Sequence, residues 1–493
     1  MKKSIPEPEL ASPIPFRTGS NGEFVPRSVS ATDLRAEEMF RRIADDHARR
    51  LGISRRAFVH SACGTAAALL VINQVYGCGG DDGGGGGGGG DGGDGGFDVD
   101  AGSTIDAAQA CEELAGPEFV FDVQTHHVNP AGAWRDAGTL WPAILGTFPQ
   151  ASCDSGDEID CFDRNHYIRE LFINSDTSVA VLSAVPAVDE ENPLLASEAA
   201  ETREVIEMLS GSSRLQIHGL VMPDLGKEQL DGMEALASEL RIAAWKVYTQ
   251  FGGWWLDDPA GIAFIEKAVE LGIDIICAHK GLTLPGFDGE FAGPRDIGVV
   301  AAAYPAMRFV AYHSGYETNV TEGPYDPAST AGVDTLVTAM QDNGLEPGGN
   351  VYAELGSTWR NVMTSPTEAA HVLGKLLVHV GEDNILWGTD SIWYGSPQDQ
   401  IMAFRTFQIP EKLREQNGYP ELTDAIRAKV LGLNAAALYG IDPEAVLCEI
   451  RDDQLSARRR ELAERPAAAH RAYGPRTRRE FFSFLRSRGG QPG

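Results

Sequence analysis

An α/β chain closed into a (β/α)8 barrel is what this sequence predicts, and three observations carry the prediction. From Glu118 onward short β-rich runs alternate with helical patterns, eight of each kind over about 320 residues. The first apolar run leads into histidines, where a doubly wound open sheet usually places a Gly-rich turn. Several runs also end in one chemically active residue, at the end of a barrel strand that reads as catalytic rather than structural.

The chain divides by composition into five parts. Residues 1–53 are polar and rich in Pro, Ser and Arg, with one amphipathic helix pattern over 31–50. Residues 54–78 open with Ser54-Arg55-Arg56-Ala57-Phe58 and continue as an apolar run from Ala62 to Val75 that ends at Cys78. That run is short of the roughly 20 apolar residues a transmembrane helix needs, and its length suits the core of an export signal. The arginine pair resembles a bacterial twin-arginine signal, and Val75-Tyr76-Gly77-Cys78 resembles a lipobox. Residues 79–116 are Gly- and Asp-rich and bury nothing, so they read as a flexible tether of roughly 35 Å mean span. The resemblance implies export by a twin-arginine route. The protein would then sit on the periplasmic face of a bacterial membrane, held by a lipid on Cys78 and not by a membrane-spanning helix.

Residues 117–448 form the expected barrel. Its strands are expected at Phe119–Val123, Ser178–Val185, Leu215–Met222, Ala243–Tyr248, Ile273–Ala278, Arg308–Tyr312, Asn350–Glu354 and Ile385–Gly388. Helices between them carry clear punctuation: Gly211 closes one, Asp258-Pro259 starts another that stops at Gly272, and Gly381 ends a third. The long loop 129–164 holds Cys153 and Cys161, which in an exported protein would pair. Cys277, inside the fifth strand, reads as a small buried core residue. Residues 449–493 are arginine-rich and expected to pack as a helical tail on the acidic domain. The formal net charge of -30 repels a polyphosphate and excludes general nucleic-acid binding. A small-molecule substrate is expected, and a homo-oligomer is compatible with the composition.

The strand ends supply the chemistry. The first gives Gln124, His126 and His127; the fourth carries Lys246; the fifth and sixth give His279 and His313; the seventh gives Glu354; the eighth leads to Asp390 in W-G-T-D. A lone strand-end histidine is more often structural than functional. A ring of imidazoles and carboxylates in a core is costly without a partner such as a metal ion.

These stations, with the closing Val430-Leu431-Gly432-Leu433-Asn434-Ala435-Ala436-Ala437-Leu438-Tyr439-Gly440, resemble the amidohydrolase superfamily. The similar branch is the amidohydrolase-related one that includes aminocarboxymuconate-semialdehyde decarboxylase. The resemblance implies one divalent ion, usually zinc, held by His126, His279, Asp390 and Gln124, with His313 and Asp390 handling protons and Lys246 fixing a substrate anion. The branch's first strand normally reads D-x-H-x-H, whereas here it is Asp122-x-Gln124-x-His126. An amide oxygen is a harder and weaker donor than imidazole, so the ion site is weakened, completed by His127, or lost. The expected activity is metal-assisted hydrolysis of a lactone, amide or ester. Non-oxidative decarboxylation of an aromatic or unsaturated acid is the alternative, using Lys246 or Arg360 as a cationic clamp. A metal-free binding protein descended from such an enzyme is the reading outside catalysis.

Overall fold

The computed structural model describes residues 30–77 and 96–463, less a few short internal stretches, together with residues 12–14 and 16. All eight expected strands are present: β1 (Phe121–Thr125), β2 (Val179–Leu182), β3 (Leu215–Leu220), β4 (Ala244–Val247), β5 (Ile275–His279), β6 (Arg308–Tyr312), β7 (Val351–Glu354) and β8 (Ile385–Leu386). They pair in parallel, in sequence order, as one eight-stranded sheet. Thr125 bridges Ser391, and the Val123 amide donates to Trp387 O at 3.0 Å, which brings the last strand round to the first. The result is the expected barrel, with helices between its strands.

Strand alternation divides the core. Ile275, Cys277, Val310 and Tyr312 join the cluster inside the barrel, while Ile276, Ala278, Phe309 and Ala311 pack in the larger cluster shared with the helices. Being buried on both faces explains why these strands read as continuous apolar runs. The closing motif seals the end where the strands begin. Asn434 Nδ2 donates to Glu382 O and Ile385 O, both at 2.8 Å, and a Cβ on Gly432 would fall 2.0 Å from Phe119 O. With that end plugged, a ligand enters at the opposite mouth, where the polar strand ends lie.

The flanking segments are more integrated than their composition suggests. Helix Ala31–Leu51 is capped by a Ser30–Asp33 box and buries Ala36, Phe40, Ala44 and Ala48, one residue per turn. Helix Ala62–Tyr76, the apolar run of the export-like segment, is largely buried, and its Asn73 Nδ2 donates to Phe97 O at 2.5 Å. Residues 31–51 therefore form the helix their amphipathic pattern predicts, with its apolar face packed. Among the described residues no helix is long and apolar enough to cross a membrane. Cys78 and residues 79–95 lie outside the described residues, but the end of the expected tether is not free: Gly96–Phe97 pairs with Phe407–Gln408, and Phe97, Ser103 and Ala110 are buried. At the other end, helix Gln454–Ala463 docks through Arg459 on Asp176, beside an Arg214–Asp453 pair at 2.8 Å. Cys161 is disulfide-bonded, while Cys153, its expected partner, lies outside the described residues.

Candidate active site

The strand ends gather at the open mouth, and the backbone there is strained. His313, Ser314, Ser357 and Asp390 all take positive φ, between 53° and 66°, which side-chain-bearing residues seldom adopt. Such strain persists where surrounding contacts hold it in place, and it concentrates at functional sites. Here the hold is visible. Glu354 at the end of β7 accepts the His313 amide at 3.0 Å and the Gly356 amide at 2.5 Å. Glycine at 388 in W-G-T-D is obligatory, because a Cβ would fall 1.6 Å from Glu354 Oε1.

A cleft of about 460 Å³ opens over these residues, with Gln124, His126, His279, Ser357 and Asp390 on its polar side. His126 Nε2 lies 3.1 Å from Asp390 Oδ1, and its Nδ1 donates to Ser183 O at 2.8 Å. Gln124 Nε2 donates to the same Asp390 oxygen at 3.1 Å and lies 3.3 Å from His313 Nε2. Ser357 Oγ donates to Asp390 Oδ2 at 2.7 Å. His313 Nδ1 donates to Gly356 O at 2.6 Å. His279 stacks edge-on to His313 with ring centroids 4.4 Å apart, points Nε2 at Leu282 O at 3.2 Å, and leaves a buried Nδ1 with no hydrogen-bond partner.

The expected residues are thus brought to one place, with three exceptions. His127 turns away, hydrogen-bonding Thr202 Oγ1 at 2.9 Å and stacking near Tyr167, so it does not complete the cluster. Lys246 does not line the cleft. Its Nζ lies beneath, 3.4 Å from the Tyr312 ring centroid and 4.9 Å from that of Tyr248, with no hydrogen-bond partner. An inward residue of a barrel strand points at the axis, and in β4 the axis lies below the cleft floor. A direct substrate contact by Lys246 is therefore not what the fold provides. Arg360 likewise stays behind the wall, its guanidinium 3.9 Å above the Tyr394 ring.

The other wall was not legible in the strand ends. Trp141, Phe148, Tyr248, Trp393 and Tyr394 line it, with Val185, Pro186, Leu282 and Leu284. Trp393 lies parallel to His126 at 5.3 Å and to Phe148 at 5.1 Å. Trp393 and Tyr394 follow Asp390 within four residues, so their closeness in sequence is the signal that places them beside it. Phe148 and Trp141 come from the long loop after β1, and nothing local to them shows where they fold.

Environment sets the charges. Burial alone would raise the Asp390 carboxyl, but the hydrogen bond and charge of His126, with His313 and Ser357, outweigh it and hold Asp390 well below the usual carboxylate range. Burial keeps both His279 and His313 neutral, pushing His313 down to about 4. Burial also depresses Lys246 to about 8 and raises Glu354 to about 8. A carboxyl raised from 4.5 in the unfolded chain to about 8 stabilises the fold below pH 4.5, and that stabilisation drains away as pH rises through 8. Glu354→Gln is expected to remove this decline. Melting temperatures between pH 5 and 9 would show it, and parallel profiles for the two proteins would refute it.

Among the described residues no three His, Cys, Asp or Glu side chains stand arranged to hold a metal ion. The pair His126–Asp390 nonetheless has the character of half a site. With Nδ1 donating to Ser183 O, His126 turns Nε2 towards a carboxylate oxygen 3.1 Å away. The donation of Nδ1–H to a carbonyl is the usual support of a metal-ligating imidazole. Among the described residues no Lys or Arg lines the cleft.

The sequence from residue 126 to 441 matches the family model described as amidohydrolase, nearly two-thirds of the chain. No curated protein matches significantly. Among solved structures, 5-carboxyvanillate decarboxylase from Sphingomonas paucimobilis aligns at 12% identity and TM-score 0.41, covering 66% of this chain and 99% of that one. The 2,6-dihydroxybenzoate decarboxylase from Rhizobium aligns at 14% and 0.37, covering 66% and 99%. A dihydroxybenzoic acid decarboxylase from Polaromonas sp. JS666, with bound manganese, aligns at 15% and 0.36, covering 66% and 97%. Likenesses this distant do not extend to substrate or reaction. The match to the family model spans most of the barrel, from His126 to Ile441, and the chain belongs to the amidohydrolase family.

Proposed function

We propose that this chain is an enzyme that removes carbon dioxide from a small aromatic or unsaturated carboxylic acid, in preference to the hydrolysis its family name suggests. One observation carries the reading: both groups expected to activate water are already engaged. The Asp390 oxygens are met by His126, Gln124 and Ser357, and both ring nitrogens of His313 have partners. A carboxylate held that far towards its ionised form is also a poor base. Decarboxylation asks for no attacking water.

The wall of Trp141, Phe148, Trp393 and Tyr394 would hold a flat substrate and keep water out. In the reaction the bond from the carboxyl carbon to its neighbour breaks, and the electron pair remains on that neighbour. A proton is added there as carbon dioxide leaves. That proton comes ultimately from solvent, and His279 Nδ1, a buried lone pair without a partner, would carry it only in passing. A divalent ion would be held by His126 and Asp390 together with Gln124; His279, the further ligand the resemblance implies, is left out of this set, its Nε2 being held by Leu282 O. When bound, it would offset the charge of the substrate carboxylate and draw electrons from the breaking bond. Zinc is one such ion, and the oxygen donors of Asp390 and Gln124 suit harder cations as well.

The test is a panel of carboxyl-labelled hydroxybenzoates and unsaturated acids in deuterium oxide, set against lactones, amides and esters. Labelled carbon dioxide with deuterium at the vacated carbon is expected. Turnover of a lactone or ester with no carbon dioxide from any acid would sink the reading. For location, we propose the lipid-anchored, exported form implied by Arg55-Arg56 and Cys78. Palmitate labelling that persists in a Cys78→Ala variant would refute it.

A further inference from the structure

Gln124 is the departure from the family motif that the proposed reaction leaves unexplained. Its side chain is buried at the end of β1, and its amide nitrogen uses both hydrogens, one on Asp390 Oδ1 at 3.1 Å and one on His313 Nε2 at 3.3 Å. Its Oε1 is buried and has no hydrogen-bond partner. The amide therefore spends its donors on two acceptors and leaves its own acceptor unsatisfied, a costly arrangement in a core.

A carboxamide is nearly symmetric in shape, so a half-turn of its end exchanges oxygen and nitrogen without moving its neighbours. After that turn an amide oxygen would occupy the position 3.1 Å from Asp390 Oδ1, which is itself 3.1 Å from His126 Nε2. Adjacent ligands of an octahedral divalent ion with bonds near 2.1 Å are about 3.0 Å apart. Two arrangements of one side chain then have opposite meanings. With nitrogen inward, the amide ties Asp390 to His313 by hydrogen bonds. With oxygen inward, the amide oxygen, Asp390 Oδ1 and an unprotonated His126 Nε2 would be three lone-pair donors grouped for a cation.

We propose that Gln124 is a reversible gate for a divalent ion: nitrogen inward it closes the site, and oxygen inward it becomes the third ligand beside His126 and Asp390. The proposal rests on the reading of this cleft as the active site, but not on which reaction occurs there. Loading such a site breaks two hydrogen bonds before it makes one ligand bond. The affinity of the native protein is therefore below that of a chain whose residue at 124 needs no reversal.

The experiment uses full-length protein stripped with chelator and titrated with Mn²⁺, whose free-ion electron paramagnetic resonance signal falls on binding. Native protein should take up one equivalent. Gln124→Glu, which offers oxygen in either orientation and adds a negative charge, should bind at least 10-fold more tightly. Gln124→Met, of similar length but with neither oxygen nor N–H to offer, should bind at least 10-fold more weakly. Thermal melting would confirm that each variant folds. Equal affinities across the three folded proteins, or no uptake by the native chain, would overturn the proposal. Because the titration needs no substrate, normal Mn²⁺ binding without carbon dioxide release would count against the reaction alone.

Discussion

Asp390→Asn is expected to lower kcat/KM by about 10³-fold while leaving the fold in place, a loss typical of removing one electrostatic contact at a reacting centre. The side chain keeps its shape but loses its charge. That charge faces His126 at 3.1 Å, takes the Ser357 hydroxyl at 2.7 Å, and is the one carboxylate among the described residues lining the cleft. An amide in its place would present an N–H to some of these donors and could not balance a bound cation. The same variant should lose Mn²⁺ binding. Steady-state rates on whichever acid releases carbon dioxide, with a melting curve for comparison, provide the measurement. Activity within 10-fold of the native enzyme would remove Asp390 from the chemistry.

Lys375→Met should have the opposite character, costing stability and sparing the reaction. Lys375 lies in helix Pro366–His379 on the outside of the barrel, fully buried, with Glu322 at 2.5 Å and Asp334 at 2.6 Å. The methionine fills the space of the aliphatic stem but leaves two carboxylates facing each other away from water. Breaking a buried ion pair on one side costs about 3–5 kcal/mol. In a domain this size that corresponds to a fall in melting temperature of roughly 10 °C. Adding Glu322→Gln should recover part of the loss, since one uncompensated charge is then removed. Denaturant unfolding at 25 °C would read both. A change below about 1 kcal/mol would show that water reaches the cluster.

How much of this was legible in the sequence differs between the two sides of the cleft. The polar side was, because each of Gln124, His126, His279, His313 and Asp390 stands at or just beyond the end of a strand readable from local pattern. In a parallel barrel all such ends share one mouth. The aromatic side was not, because Trp141 and Phe148 arrive on a long loop whose path depends on what it packs against. Lys246 marks the limit of strand-end reasoning. It lies within β4, one residue before the strand's end, and a one-residue difference in register separates the cleft from the axis beneath it.

By itself the sequence determined the barrel, its alternation of strands and helices, and most of the residues brought to its mouth. Periodicity, capping and turn residues act over a few positions, and the order of parallel strands follows from right-handed connections. Tertiary structure alone decided three things: that His127 turns away from the cluster, what the apolar face of helix 31–51 packs against, and that Gln124 presents nitrogen to Asp390. Each depends on which atoms from distant segments meet at 3 to 4 Å, where hydrogen-bond direction and burial set the outcome, and no local pattern in the chain encodes that meeting.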